Sequence, residues 1–223
     1  MPTTLIIGAS RGIGLELARQ SLAAGERVLA TARDDAGLAR LNDLGAQTLR
    51  VDVADPASVS SLTWVLDGEK IDTAWYVAGV MCDRADATQP PTQQAFDRVM
   101  HANVLGAMQV IPQVAPLVEA AGGRFGFVSS IMGRIDGVGG SNAWLYRVSK
   151  AALNMAVASA QHSYPKAVIA SFHPGWVSTD MGGSGAPVTP QQSAAGLRST
   201  LAAMHAADSG AFMQYDGARL ASW

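Results

Sequence analysis

A run of five β-branched or apolar residues, Thr3 to Ile7, leads without interruption into Gly8-Ala9-Ser10-Arg11-Gly12-Ile13-Gly14, and an amphipathic stretch carrying Leu15, Leu17, Ala18 and Leu22 follows. A strand, a glycine-rich turn and a helix in that order open a βαβ dinucleotide-binding unit. Each glycine has its own reason. Gly8 permits the tight turn, Gly12 lets backbone approach a pyrophosphate, and Gly14 lets the helix pack closely on the strand. The helix N-terminus, beginning near Ser10 and Ile13, offers free N–H groups and a positive dipole end to phosphates. The spacing is Gly-x-x-x-Gly-x-Gly rather than Gly-x-Gly-x-x-Gly. A glycine turn without a ligand is the plainer alternative, and the strand before it and the helix after it weigh against that.

The rest of the chain repeats the alternation. Arg27 to Thr31, Gln47 to Val51, Ile71 to Val77, Arg124 to Ser129 and Ala167 to Phe172 read as strands, with Ala211 to Gln214 as a short last one. Asp34 and Asp35 begin a helix, and another runs from about Pro56 to Leu66 with Asp55 as its cap. A long helix from about Gln93 to Glu119 crosses Pro112 and Pro116 and is expected to kink or break there. The next helix carries Tyr146 and stops before Pro165, and the last runs from about Pro190 to Ala206. Residues 80–91, the glycine-rich 131–143 and 182–187 read as loops. Strands alternating with helices predict an α/β fold: a Rossmann-type doubly wound parallel sheet of about seven strands, with helices on both faces and right-handed crossovers. With no repeat, linker or break, residues 1–223 are expected to form a single domain.

Composition narrows the function classes. The formal net charge is -2 over 223 residues, so no electrostatic footprint for nucleic acid is visible. Charged residues make up 15 % and hydrophobic ones 48 %, which suits strands buried on both faces. Cys82 is the single cysteine, so no intrachain disulfide is possible. No apolar run approaches membrane-spanning length, and the short apolar start leads directly into the glycine turn, unlike a cleaved leader. A cytoplasmic protein without membrane or nucleic-acid partners is expected. His101, His162, His173 and His205 are scattered without metal-ligand spacing, and no metal site is expected.

Tyr146 and Lys150 stand four residues apart with neither Pro nor Gly between them. On a helix they share a face one turn apart. An ordinary phenol, with a pKa of about 10, is a poor acid or base at neutral pH. A fixed ammonium nearby favours the phenolate and moves the phenol toward useful proton transfer. Such a pair on an exposed helix face is the common case. With four Tyr and three Lys in the chain, chance gives only about 0.05 such pairs.

In order, the chain presents the glycine turn, Arg33, Asp52, Ala78-Gly79, Asn103, Ser129-Ser130, Tyr146-x-x-x-Lys150 and Pro174-Gly175. This resembles the short-chain dehydrogenase/reductase family over essentially the whole chain, and within it the C-factor-like and sniffer-like carbonyl reductases. Val128-Ser129-Ser130-Ile131-Met132-Gly133, Tyr146 to Asn154, His173 to Gly183 and Tyr215-Asp216-Gly217 carry the narrower likeness. The resemblance implies an NADP-dependent oxidoreductase that reduces a ketone or aldehyde to an alcohol. Tyr146 is implied as general acid, Lys150 as the group that lowers its pKa and holds the nicotinamide ribose, and Ser130 as hydrogen-bond donor to the substrate carbonyl. Asn103 would hold a water in a proton relay behind Lys150. The resemblance places Gly8, Ser10, Arg11, Gly12, Ile13 and Gly14 around the phosphates. Arg11 and Arg33 are placed at the 2′-phosphate, Asp52 and Val53 at the adenine, and Ala78 and Gly79 along the cofactor. Pro174, Gly175, Val177 and Thr179 come at the nicotinamide end. Relatives often pair through the helices carrying Asn103 and Tyr146, which implies a dimer or tetramer.

Three departures from the family pattern stand out. Ile7 occupies a position where Thr is common. Tyr76-Val77 precedes Ala78-Gly79 where the family usually has Asn-Asn, so the turn there must be stabilised otherwise. Ser130 and Tyr146 are also a few residues further apart than is common. The loops at 80–91, 131–145 and 180–189 should shape the substrate pocket, with Arg84, Asp86, Arg134 and Asp136 as their charged members. Met81, Cys82 and Trp144 suit pocket lining and plain packing equally. A non-enzymatic dinucleotide sensor on the same fold is the main rival; it needs the glycines and Arg33 but not Ser130. A nucleotide-sugar epimerase is a weaker third reading, since such members are usually longer.

Overall fold

The computed structural model describes residues 1–82 and 85–220. Its centre is a seven-stranded, wholly parallel sheet of β1 (Thr3–Ile7), β2 (Arg27–Ala32), β3 (Gln47–Arg50), β4 (Thr73–Tyr76), β5 (Arg124–Val128), β6 (Val168–His173) and β7 (Phe212–Gln214), in the spatial order β3-β2-β1-β4-β5-β6-β7. The registers fix it: Leu5 lies opposite Leu29 on one side and Ala74 on the other, and Phe127 lies opposite Ser171. The order reverses between β1 and β4. In an open parallel sheet the crevice for a ligand lies beyond the carboxyl ends of the strands at that point.

Helices cover both faces: α1 (Gly12–Ala23), α2 (Asp35–Asp43), α3 (Pro56–Ser60), α4 (Leu62–Val65), α5 (Gln93–Met100), α6 (Gly106–Ala120), α7 (Trp144–Ala160) and α8 (Pro190–Ala203). Side chains alternate across the strands and feed two cores. Leu5, Ile7, Phe125, Phe127 and Ile169 pack with Val110, Val114 and Val118 of α6 and Leu153 and Val157 of α7. Ile6, Trp75, Ala170 and Phe172 pack on the other face with Leu17 of α1, Leu41 of α2 and Leu197 and Leu201 of α8. Burial on both faces explains why the strands read as continuous apolar runs.

Two expected helices differ in detail. The 56–66 segment divides at Ser61 into α3 and α4, where Ser60 and Ser61 donate their hydroxyls back to the carbonyls of Pro56 and Ser58 at 2.8 and 2.7 Å and compete with the helical ladder. The long helix is not broken at Pro112 or Pro116, both of which lie inside α6. Met108, Pro112 and Pro116 form one exposed stripe, so the carbonyls deprived of an N–H partner face water and the helix carries on. The irregularity sits earlier, as a π-helical turn over His101–Leu105. There the buried Tyr76 hydroxyl donates to the Ala102 carbonyl at 2.8 Å. A Cβ at Gly106 would meet Val53 O at 2.5 Å and Tyr76 Oη at 2.8 Å, so only glycine lets the helix come this close.

Candidate active site

The glycine turn lies beyond the carboxyl end of β1. Gly8 has φ +88 and Gly12 φ +53, a region that glycine enters freely. A Cβ at Gly14 would stand 2.3 Å from Gly8 O, so the first turn of α1 can lie on the strand end only as glycine. Gly8 N donates to Thr31 Oγ1 at 2.9 Å, which ties the turn from β2 although Ile7 stands where Thr is common. The neighbouring turn, lacking Asn-Asn, is held differently. Val77 N and Ala78 N both donate to Ile7 O, and the Asn103 amide clamps Val80, accepting from its N at 2.7 Å and donating to its O at 2.9 Å. Asn103 also donates to Ser149 Oγ at 2.9 Å and is fully buried. Both ends of its side chain are therefore occupied by protein. Its visible work is to join the turn after β4 to α7; both amide hydrogens are used, while Oδ1 keeps a second acceptor site.

Tyr146 enters the site from the first turn of α7. Ala143, which precedes the helix, has φ 54 and ψ 38 and is the sole positive-φ residue other than glycine among the described residues. Arg147 secures this strained entry, donating from Nε to Asn142 O at 2.9 Å and from Nη2 to Asn142 Oδ1 at 3.0 Å. Trp144 N reaches Ala85 O at 3.4 Å and so binds the 80–91 loop to the same point. Ser130 comes from the end of β5 and caps a 3-10 turn, Ile131–Gly133, by accepting from Met132 N at 3.1 Å. A Cβ at Gly133 would meet Lys150 C at 2.7 Å, so this turn lies directly on α7 and brings Ser130 to Tyr146.

Ser130, Tyr146 and Lys150 are all buried. Burial pushes the Tyr146 phenol up to about 12, against a smaller downward pull from its hydrogen bond with Ser130. Burial pushes the Lys150 ammonium down to about 8. Lys150 Nζ donates to Val128 O at 2.9 Å and lies over the Tyr146 ring, 5.6 Å from its centre. In the free protein burial is the larger influence on the Tyr146 phenol, and the smaller downward pull comes from Ser130.

One cleft of about 830 Å³, within the range of about 300–1,000 Å³ usual for ligand sites, runs across the carboxyl ends of the strands. Gly8, Ser10, Arg11, Gly12 and Ile13 line it, as do Arg33, Asp52 and Val53, Ala78 and Gly79, Tyr146 and Lys150, and Pro174 and Thr179. Gly14, Asn103, Ser130, Gly175 and Val177 do not line its wall and support it from behind. Asn103 Oδ1 and Lys150 Nζ would lie 3.1 and 3.5 Å from a Cβ on Gly79. Gly175 takes φ +86, and Val177 pairs with Val188 beneath the loop. A Cβ on Gly12 would touch Thr179 Cγ2 at 3.2 Å, so the loop after β6 crosses directly over the glycine turn. Arg84 lies outside the described residues.

The second strand's end also behaves as its sequence suggests. Asp34 caps α2, accepting from Gly37 N at 2.8 Å, and Asp35 is the first helical residue. Arg33 is exposed, with Nε 4.0 Å from Asp34 Oδ2. Arg11 forms an ion pair with Asp180 at 3.2 Å. Arg40, Arg98, His101 and Asp180 line the cleft too, and sequence reasoning missed them. For Arg40 a signal existed. Gly37 inside the first turns of a helix costs about 1 kcal/mol against Ala and so marks a close approach, and Arg40 is one turn further on the same face. A Cβ on Gly37 would stand 2.8 Å from Ser10 Cβ, and Arg40 Nη1 does donate to Ser10 O.

The model of the short chain dehydrogenase family matches residues 2–187. The chain belongs to the short-chain dehydrogenase/reductase family. It is 33 % identical over 229 residues to the 1-hydroxy-2-glutathionyl-2-methyl-3-butene dehydrogenase of Rhodococcus sp. (strain AD45), covering 97 % of this chain and 98 % of that one. Among solved structures, it is similar to the carbonyl reductase Sniffer of D. melanogaster, with a TM-score of 0.92 and 28 % identity over the whole of both chains. It is also similar to an NADPH-bound carbonyl reductase from chicken fatty liver, with a TM-score of 0.87 and 28 % identity over 100 % of this chain and 99 % of that one. As a short-chain dehydrogenase/reductase it is an oxidoreductase that takes small-molecule substrates, and its fold is that of NADP-binding relatives. Among the described residues no helix is long and apolar enough to cross a membrane, and no group of His, Cys, Asp and Glu is arranged to hold a metal ion.

Proposed function

We propose that this protein is an NADP-dependent carbonyl reductase that converts a ketone or aldehyde to an alcohol, with Tyr146 as general acid. The observation that carries the reading is the buried pair Tyr146 and Lys150 at the wall of a cleft that also holds the glycine turn, with the buried Ser130 behind them. A sensor of the same fold would need the glycines and arginines, but it gains nothing from a buried hydroxyl pair at the far end of the cleft.

The residues fit a dinucleotide. The glycine turn leaves no Cβ at the three places where backbone and phosphates must come close, and α1 begins there with its N–H groups. Arg33 and its arginine neighbours would meet the 2′-phosphate, Asp52 and Val53 the adenine, Ala78 and Gly79 the middle, and Pro174 and Thr179 the nicotinamide end. The cofactor supplies the hydride when bound. On the protein's side, Tyr146 Oη holds the proton that the substrate oxygen takes as its negative charge develops. At neutral pH a phenol of raised pKa is fully protonated and ready to donate. The Ser130 hydroxyl donates to the same oxygen and stabilises the charge. Lys150 has three N–H donors, one of which is held by Val128 O. The others are available to a ribose hydroxyl, and a fixed cation close to the phenol stabilises the phenolate left after transfer. Asn103, with its amide committed to Val80 and Ser149, positions α7 and the turn after β4 rather than touching the reacting atoms.

The reading includes a cytoplasmic protein that self-associates. Met108 on α6 and Val148 and Met155 on α7 are exposed apolar side chains, a pattern that suits a second copy of the chain as dimer or tetramer. The function is tested by following NADPH and NADH oxidation with a panel of aldehydes, ketones and diketones. Turnover with NADPH on at least one carbonyl is expected. Tight NADPH binding with no turnover across the panel, and none in the alcohol-oxidising direction, would favour the sensor.

A further inference from the structure

A second hollow, of about 110 Å³, lies at the opposite pole of the sheet, at the amino ends of β1, β4 and β5. Its floor is a single row. Thr4 of β1 is in register with Thr73 of β4, and Thr73 with Arg124 of β5, so the three side chains share the face that carries Ile6 and Trp75. Trp75 leans over Gly126 of β5, where a Cβ would stand 2.3 Å from its ring, and with Leu201 of α8 gives the hollow an apolar wall. Ser21 of α1 and Arg198 of α8 close it from above. None of these residues lines the cleft of the candidate active site. The charged groups of the lining are Arg124, Arg198 and Glu26. Glu26 is committed: Oε1 accepts from Arg198 Nη2 and Oε2 from Thr4 Oγ1, each at 2.7 Å. Arg198 Nη1 donates to Ser21 Oγ, which leaves the serine O–H as a donor. Arg124 donates from Nε to Met204 O at 3.2 Å, and its two Nη groups have no acceptor among the described residues. Asp72, whose carbonyl accepts from Arg124 N, turns its carboxylate to Thr3 N at 2.8 Å and does not line the hollow. The Thr73 hydroxyl is also without a partner among the described residues. Two guanidiniums against one carboxylate leave one net positive charge, with more donors open than acceptors.

We propose that this hollow is a binding site for a small monocarboxylate of the size of acetate, propionate or lactate. The carboxylate takes the open Nη1/Nη2 fork of Arg124 as a bidentate pair and accepts from the Thr73 and Ser21 hydroxyls. Its short alkyl end lies on Trp75 and Leu201, an apolar wall that a phosphate or sulfate would leave unused. The charge of the lining selects in the same sense: a monoanion matches the single net positive charge, whereas a dianion brings a second negative charge beside Glu26. Because the row and its cover come from β1, β4, β5, α1 and α8, the site exists only in the folded chain, and its ligand stabilises that state by mass action.

The test uses the whole protein, with calorimetry and thermal unfolding in sodium acetate, propionate and lactate, in sulfate and phosphate, and in sodium chloride at equal ionic strength as the reference. The carboxylates are expected to bind with a dissociation constant of about 1 mM or below and to raise the melting temperature beyond the chloride reference. Arg124→Gln should weaken them by about tenfold or more, as for loss of a charge-assisted contact. Thr73→Val keeps the shape of the row and should weaken them several-fold; it decides the matter should Arg124→Gln not fold. Arg33→Gln, at the other pole, should leave carboxylate affinity as it is. The proposal fails if chloride stabilises as much as the carboxylates do, or if sulfate or phosphate binds more tightly than they do. It fails equally if both Arg124→Gln and Thr73→Val bind like the wild type, or if Arg33→Gln abolishes binding, which would place the anion in the cleft.

Discussion

His173 closes β6 immediately before the Pro174-Gly175 turn of the cleft. Its Nδ1 is buried without a hydrogen-bond partner, and burial pushes its pKa from 6.5 down to about 4 although Asp216 pulls the other way. The unfolded chain therefore binds a proton at His173 between pH 6.5 and 4 that the folded chain refuses. Stability from this residue is fully present above about pH 6.5 and is lost as the pH falls toward 4. Between pH 7.5 and 4.5 the two pKa values give a loss of about 2.5 kcal/mol, a large share of the roughly 5–15 kcal/mol by which domains are stable. His173→Asn removes the titrating group. Urea unfolding of both proteins at pH 7.5 and 4.5 should show the wild type losing about 2.5 kcal/mol more than the variant, after the loss common to both from carboxylates is subtracted. Equal losses in the two proteins would refute the reasoning. They would mean that protonated His173 finds a partner or water in the folded state.

Three further outcomes follow from the site and its supports. Ser130→Ala should keep NADPH affinity and lower turnover by about 10²-fold, the usual cost of one donor to a developing oxyanion; lost NADPH binding with normal turnover would contradict its role. Gly14→Ala places a Cβ 2.3 Å from Gly8 O, so the turn must open; weakened nucleotide binding and a lower melting temperature are expected, and wild-type values of both would show that α1 has room to spare. Tyr76→Phe removes the buried hydroxyl that holds Ala102 O and should cost about 1–3 kcal/mol in chemical denaturation, whereas an unchanged midpoint would show that the π turn stands without it.

The sheet was legible because parallel strands buried on both faces leave continuous apolar runs, and glycine at Gly8, Gly12 and Gly14 marks a backbone that no other residue fits. The Tyr146–Lys150 pair was legible from spacing alone. Side-chain commitments were not. Asn103 is visible in sequence, but its bonds to Val80 and Ser149 join segments 23 and 46 residues away. The π turn at His101–Leu105 ends where Tyr76 and Val53 come close to Gly106, long-range contacts that the local sequence does not express. Arg11 and Arg40 look alike in sequence, and only the loop after β6 and the face of α2 show one turned to Asp180 and the other to Ser10. The pKa of Tyr146 depends on burial, which a four-residue spacing does not express.

Tyr146→Phe keeps the ring, the helix and the packing against Lys150 and removes only the transferable proton. The decisive measurement is kcat/KM for NADPH-dependent reduction of the best carbonyl from the panel, made beside the dissociation constant for NADPH in the same two proteins. NADPH affinity is expected to be unchanged while kcat/KM falls by at least ~100-fold, the low end for loss of a general acid. Near-normal kcat/KM in the variant would contradict the assignment of Tyr146 as the proton donor.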